Sequence, residues 1–223
     1  MSTHLETQTF AAEQEWLSLW RSGPTRLRWD AAPLQVGDKA PDFELQDATG
    51  AAHRLADFWR DAPALLLFWR HHGCSCGVTR ARRLKDEFAA YRALGVKVVV
   101  IGQGQPESAA DYARRHQLPC SVLCDPMRIA YRAYDLLDGK PSQIVFDAPE
   151  EFLRVDLEAG AGLQQARRGT ERAVVNSPWQ LPGEFVVDRS GTVQLAYRYQ
   201  HCEDWPNPLV LVAALKEALW ACA

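Results

Sequence analysis

The sequence predicts an α/β fold, a central mixed sheet flanked by helices, and three observations predict it. Short apolar runs of strand length recur at residues 64–69, 96–101 and 121–124. The segments between them return an apolar side chain every three or four positions, which is the helical period. Near the end of the chain, residues 184–188 and 192–199 flank Arg189-Ser190-Gly191, which reads as a β-hairpin. Strand, helix, strand, helix, strand at this spacing marks parallel strands joined by crossovers, and the hairpin adds antiparallel partners.

In chain order, residues 10–21 carry Phe10, Trp16 and Trp20 among Glu and Gln, the pattern of a short amphipathic helix. A turn at Gly23-Pro24 and an irregular stretch follow, so residues 1–34 are an N-terminal extension and residues 35–223 the main domain. The run Ala64-Leu65-Leu66-Leu67-Phe68-Trp69 is apolar throughout, as a central strand covered on both faces must be. Val78, Ala81, Leu84, Phe88 and Tyr91 mark the helix after it, and residues 107–117 mark another with a polar face. Asp125-Pro126 opens a helix expected to reach about Leu137. Residues 138–178 break the rhythm as an insertion, a lid or interface element with a helix start at Asp147-Ala148-Pro149-Glu150-Glu151. A closing helix from about Asn207 presents Leu211, Leu215, Ala218 and Cys222 on one face.

A chain of 223 residues with 47% apolar and 24% charged residues buries one sizeable core without staples. A net charge of −3 gives no reason to expect nucleic acid or an anionic membrane as partner. The cluster Arg80-Ala81-Arg82-Arg83 is followed by Asp86 and Glu87, which reads as a solvated helix face. The first residues lack the charged and apolar regions of a secretory signal, and no apolar run reaches the roughly 18 residues of a membrane span. The expected location is the cytoplasm, where six cysteines rest as thiols and need a reason other than a disulfide framework.

That reason is sought in Phe68-Trp69-Arg70-His71-His72-Gly73-Cys74-Ser75-Cys76-Gly77, where the first central strand gives way to the long helix. Reactive groups in open α/β sheets gather beyond the carboxyl ends of parallel strands. Unpaired N–H groups at a helix start favour a thiolate, and Arg70 adds positive charge. A thiolate attacks peroxides and disulfides alike.

Gly37-Asp38-Lys39-Ala40-Pro41-Asp42-Phe43, the stretch from Phe68 to Cys76, Asp125-Pro126 and Leu181-Pro182-Gly183-Glu184-Phe185-Val186-Val187-Asp188 stand in the order found in peroxiredoxins. The Phe-x-Arg-His-x-Gly-Cys segment and the insertion before the hairpin resemble most closely the peroxiredoxin-like, selenoprotein-L-related branch of the thioredoxin-fold superfamily. The resemblance covers about residues 35–220 and implies a thioredoxin-like fold and thiol chemistry without an organic cofactor. It departs at the cysteines. In the peroxiredoxin Pro-x-x-x-Thr-x-x-Cys motif the Pro position falls on Arg70, the Thr position on Cys74 and the peroxidatic position on Gly77. The related branch spaces its pair Cys-x-x-Cys, and this chain has Cys-x-Cys. Peroxidase activity therefore has to be argued from the site itself. The match to the first thioredoxin cysteine makes Cys74 the attacking thiol and Cys76 the resolving one. Residues two apart lie at the edge of disulfide geometry, so such a bridge suits a labile catalytic role.

Cys124, at a strand end, and Cys202, beside His201 after the last strand, are alternative resolving thiols or simply packed ones. Cys120 and Cys222 read as packing residues, as do Trp69 and the other tryptophans. Pro182 stands where thioredoxin-like proteins place a cis proline facing the cysteines; in trans it is a strand-start proline. His71 and His72 either tune the thiolate, bind metal, or are loop residues without such a role. Gly102-Gln103-Gly104 lacks the third glycine of a dinucleotide motif.

Three functions remain. The first is a thiol oxidoreductase cycling a Cys74/Cys76 dithiol and disulfide, reducing a peroxide or a protein disulfide with electrons from a thioredoxin-like or glutathione-like donor. The second is a metal or iron–sulfur protein using His71, His72, Cys74 and Cys76. The third is a non-catalytic interaction scaffold. Homodimerisation is compatible with all three.

Overall fold

The computed structural model describes residues 31–72, 75–140 and 179–221, together with Thr7, Phe10, Gln14, Ser18, Trp29 and Ser177. The helix expected over residues 10–21 and the helix start expected at residues 147–151 lie, but for Phe10, Gln14 and Ser18, outside the described residues. Seven strands form one mixed sheet: β1 (Glu44–Asp47), β2 (Ala52–Arg54), β3 (Ala64–Phe68), β4 (Lys97–Gly102), β5 (Ser121–Cys124), β6 (Gly183–Val187) and β7 (Val193–Arg198). Their order is β2-β1-β5-β4-β3-β6-β7. The parallel trio β5-β4-β3 is central, with Leu66 opposite Val99 and Val100 opposite Val122. The outer pairings, β1 on β5 and β6 on β3, are antiparallel.

Alternation along these strands divides the core. Leu65, Leu67, Val98, Val100, Val122 and Val186 face one side. That side is covered by α2 (Ser75–Ala93), α3 (Pro106–His116) and α5 (Pro208–Trp220). Leu66, Phe68, Val99, Ile101, Phe185 and Val187 face the other. Against it pack α1 (Ala56–Trp59) and α4 (Ile129–Ala133). Both faces are covered, so all five residues of β3 are buried, which is why it reads as an unbroken apolar run. Among the described residues no helix is long and apolar enough to cross a membrane.

Local chemistry sets the element ends. Pro106 opens α3, and Gln117 closes it in the left-handed region at φ 51°. Asn207 caps α5, its side chain accepting a hydrogen bond from the Leu209 N–H at 2.9 Å.

The helix expected from Asp125 to about Leu137 is cut to the five residues of α4. Arg128 and Asp135 both take left-handed backbone, at φ 54° and 55°, and bracket it. The Asp125 carboxylate accepts from the N–H groups of Ile129 and Ala130 at 2.9 and 2.8 Å, so it caps the turn instead of starting the helix.

Candidate active site

The site is built at the carboxyl end of β3, where residues 69–74 lead into α2. Trp69 continues the sheet, its N–H donating to Ile101 O at 2.9 Å. The buried Tyr131 hydroxyl donates to Trp69 O and, at 2.8 Å, to Ile101 O. Burial, before any nearby charge, pushes that phenol well above its ordinary range, so it remains a donor. Gln103, fully buried, donates from Nε2 to the Arg70 carbonyl at 2.7 Å. Two side chains from neighbouring elements thus fix the backbone that delivers Arg70 to the helix start.

Cys76 lies in the first turn of α2, is 4% exposed, and is disulfide-bonded. Cys74 lies outside the described residues. Arg70, itself buried, donates from Nη1 to the Cys76 sulfur at 3.7 Å. Cys202 packs directly against Cys76 and is likewise 4% exposed. Around the two sulfurs is a cavity of about 20 Å³, lined also by Arg70, Arg80, Pro182 and Trp205. It has room for about one water-sized molecule.

Beneath it lies an ion-pair network that the sequence conceals. Arg80, one turn beyond Cys76, donates from Nε to Glu184 at 2.9 Å and from Nη1 to Glu87 at 3.0 Å. Tyr199 adds a 2.5 Å hydrogen bond to Glu184, and Tyr91 one of 3.0 Å to Glu87. Burial pulls the Arg80 guanidinium down, but Glu184, Tyr199 and Glu87 outweigh it and raise its pKa above the ordinary value, so it stays charged. The reading of Arg80 to Glu87 as a solvated face is therefore corrected. Arg80 and Glu87 turn inward because Glu184, on β6, needs a buried cation.

The other candidates separate. Cys124 is buried at the end of β5, two strands from β3, and does not line the cavity. Burial, then the Asp47 and Glu107 charges, pushes its thiol up to about 11. Cys120 is raised to about 12, chiefly by burial. Neither thiol ionises near neutral pH. Pro182 does line the cavity, but its peptide bond is trans, so the strand-start alternative describes its backbone.

His72 stacks on Tyr112, ring centroids 4.6 Å apart at 16°, and does not line the cavity of Cys76. Burial, then Arg115 and His116, lowers its pKa to about 4, which keeps it neutral. A methyl group at Gly102 would lie 2.5 Å from His72 Nε2, and one at Gly104 2.7 Å from its Nδ1. Gly102-Gln103-Gly104, set aside as a cofactor motif, thus seats His72 with its glycines and Arg70 with its glutamine. Among the described residues no three His, Cys, Asp or Glu side chains gather as metal ligands.

Residues 36–196 match the AhpC/TSA family. The chain belongs to that family. It is 28% identical to the thioredoxin-like protein AAED1, chloroplastic, of Arabidopsis thaliana over 84% of this chain and 73% of that protein. It is 30% identical to the thiol-disulfide oxidoreductase ResA of Geobacillus kaustophilus over 50% of this chain and 64% of that one. Among solved structures, a peroxiredoxin-like protein from Aquifex aeolicus matches the fold with a TM-score of 0.58 at 15% identity, covering 84% of this chain and 90% of that one. Family membership gives this chain a thiol redox role on a peroxiredoxin-like thioredoxin fold.

Proposed function

We propose that the protein is a thiol oxidoreductase in which Cys74 and Cys76 alternate between dithiol and disulfide. The observation that carries this reading is the disulfide-bonded Cys76 in the first turn of α2 with the Arg70 guanidinium 3.7 Å from its sulfur. Cys120, Cys124 and Cys202 are thiols, which leaves Cys74 and Cys222 as partners for Cys76. The chain leaves β7 at the Cys76 end of the sheet, and α5 then runs 13 residues, about 20 Å, before Cys222. Cys74, two residues away in sequence, is the partner this favours.

In the reduced state the helix start and Arg70 stabilise developing negative charge on Cys76. Cys74 attacks a disulfide to form a mixed disulfide, displacing one substrate thiol, or a peroxide to form a sulfenic acid, displacing the alcohol or water. Cys76 then attacks Cys74 to close the bridge, releasing the second substrate thiol or a water. A thioredoxin-like or glutathione-like thiol reopens it, which suits a reducing compartment such as the cytoplasm. The names of the relatives, a thiol-disulfide oxidoreductase among them, support this over a silent scaffold. The His72 seat on Tyr112 removes one ligand from the metal reading.

The test supplies wild-type, Cys74→Ser and Cys76→Ser proteins with hydrogen peroxide, and separately with a disulfide-bonded protein, using dithiothreitol as electron donor. Turnover above the uncatalysed rate on at least one substrate, lowered in both variants, is the expected result. Equal rates in all three proteins would refute it.

A further inference from the structure

We propose that Cys202 is a third redox thiol, which takes over the bridge held by Cys76 and stores it as a buried Cys76–Cys202 disulfide. This rests on the reading of Cys76 as a redox cysteine, and extends it to a residue 126 positions away in sequence. Cys76 and Cys202 form a buried contact of their own, separate from both main core clusters. They also line one water-sized cavity with two guanidinium groups, Arg70 and Arg80. Arg80 is held by Glu184 and Glu87, so it is Arg70, donating to Cys76 Sγ at 3.7 Å, that favours a thiolate over a thiol here. Cys120 and Cys124 have no such setting, and burial holds both thiols well above neutrality.

The segment carrying Cys202 is held in place on both sides. Before it, the Tyr199 hydroxyl donates to Glu184 at 2.5 Å. After it, Asp204 accepts from the Tyr197 hydroxyl at 2.9 Å and from the Gln200 N–H at 2.8 Å. Trp205 lies under the Arg83 guanidinium, 5.0 Å from ring centroid to carbon. Cys202 is thus fixed against Cys76 by polar contacts that reach β6, β7 and α2.

The step is redox-neutral. The deprotonated Cys202 sulfur attacks Cys76 Sγ, the Cys76–Cys202 bond forms, and the existing bond of Cys76 breaks. The former partner leaves as a thiolate and takes the proton that Cys202 gave up. The oxidising equivalent then sits between two sulfurs that are each 4% exposed, beyond the reach of a bulky reductant.

The experiment maps the partner of Cys76 in full-length protein. Wild-type and Cys74→Ser proteins are reduced, stripped of reductant anaerobically, given one equivalent of hydrogen peroxide, quenched in acid, alkylated and digested for mass spectrometry. In Cys74→Ser, peroxide converts the Cys76 thiol to a sulfenic acid with release of water, and Cys202 condenses with it, releasing a second water. The expected result is a Cys76–Cys202 peptide as the main oxidised species in Cys74→Ser and as a resolvable fraction in wild type. Adding Cys202→Ser, or Cys202→Ala if the serine variant melts early, should remove that species.

Cys76 oxidised in wild type while Cys202 stays fully alkylated in both proteins would overturn this proposal alone. Cys76 remaining a thiol in oxidised wild type would overturn the redox reading and this proposal with it.

Discussion

His72→Phe tests whether the histidine beside the cysteines is a packing residue held neutral by its surroundings. The imidazole stacks on Tyr112 and faces Arg115 and His116 of α3. Burial first, then those two neighbours, lowers its pKa from 6.5 to about 4. Unfolding returns it to the ordinary value, so between those limits the unfolded chain binds more protons than the folded one. Its contribution is complete above pH 6.5 and is lost as pH falls towards 4. At 1.36 kcal/mol per unit the full loss is about 3 kcal/mol, and about 2 kcal/mol of it falls between pH 7.5 and 5. Phenylalanine keeps an aromatic ring on Tyr112 and takes no proton. Urea unfolding of both proteins at pH 7.5, 6 and 5 gives the stability difference, in which titrating groups that do not interact with His72 cancel. That difference should move by about 2 kcal/mol in favour of the variant between pH 7.5 and 5. Parallel curves would refute the buried, neutral seat, whatever the absolute stability of the variant.

Arg80→Met takes the cation from the Glu184 carboxylate beneath the site, whose side chain is 2% exposed, while Glu87 keeps Arg83 at 3.4 Å. Breaking a buried pair from one side costs about 3–5 kcal/mol. At about 2–4 °C per kcal/mol for a chain of this size, thermal melts should fall by about 6–20 °C. A loss below about 1 kcal/mol would contradict the network. Arg70→Met removes the donor to Cys76 Sγ, and a hydrogen bond to a charged group contributes about 1.5–3 kcal/mol. Alkylation of reduced Cys76 by iodoacetamide at pH 7 should therefore slow by about tenfold or more. An unchanged or faster rate would show that the guanidinium does not support the thiolate.

The parts of the fold legible in the sequence are those whose residues answer to one constraint at a time. β3 and β4 are apolar because helices cover both faces, and the β6–β7 turn announces itself through Arg189-Ser190-Gly191. β1 and β2 carry no such signal. Only Leu45 of the seven residues in these strands is buried, so no alternation emerges. The length of α4 was hidden as well, because Arg128 and Asp135 adopt left-handed backbone without being glycine. At the site, the location of the cysteine segment and the role of Arg70 could be argued from a strand meeting a helix. Arg80 could not, because its partner Glu184 is 104 residues away and its neighbours Arg82 and Arg83 suggest solvent. Cys124 and Cys202 looked equivalent, each near a strand end. Strand order separates them, placing β5 two strands from β3 while the segment after β7 turns back onto α2. The two glycines around Gln103 make sense only once His72 is seen against them.

The most direct test of the central claim is a redox titration of the wild-type protein in dithiothreitol buffers of graded potential, with disulfide mapping at each point. One two-electron transition is expected, about 30 mV per tenfold change in the oxidised-to-reduced ratio, in which both Cys74 and Cys76 pass from alkylatable to bridged. A Cys74–Cys76 peptide should dominate the oxidised state, with any Cys76–Cys202 peptide appearing over the same transition. A Cys76 bridged to Cys222, or a Cys74 that remains alkylatable while no bridge reaches Cys202, would contradict it.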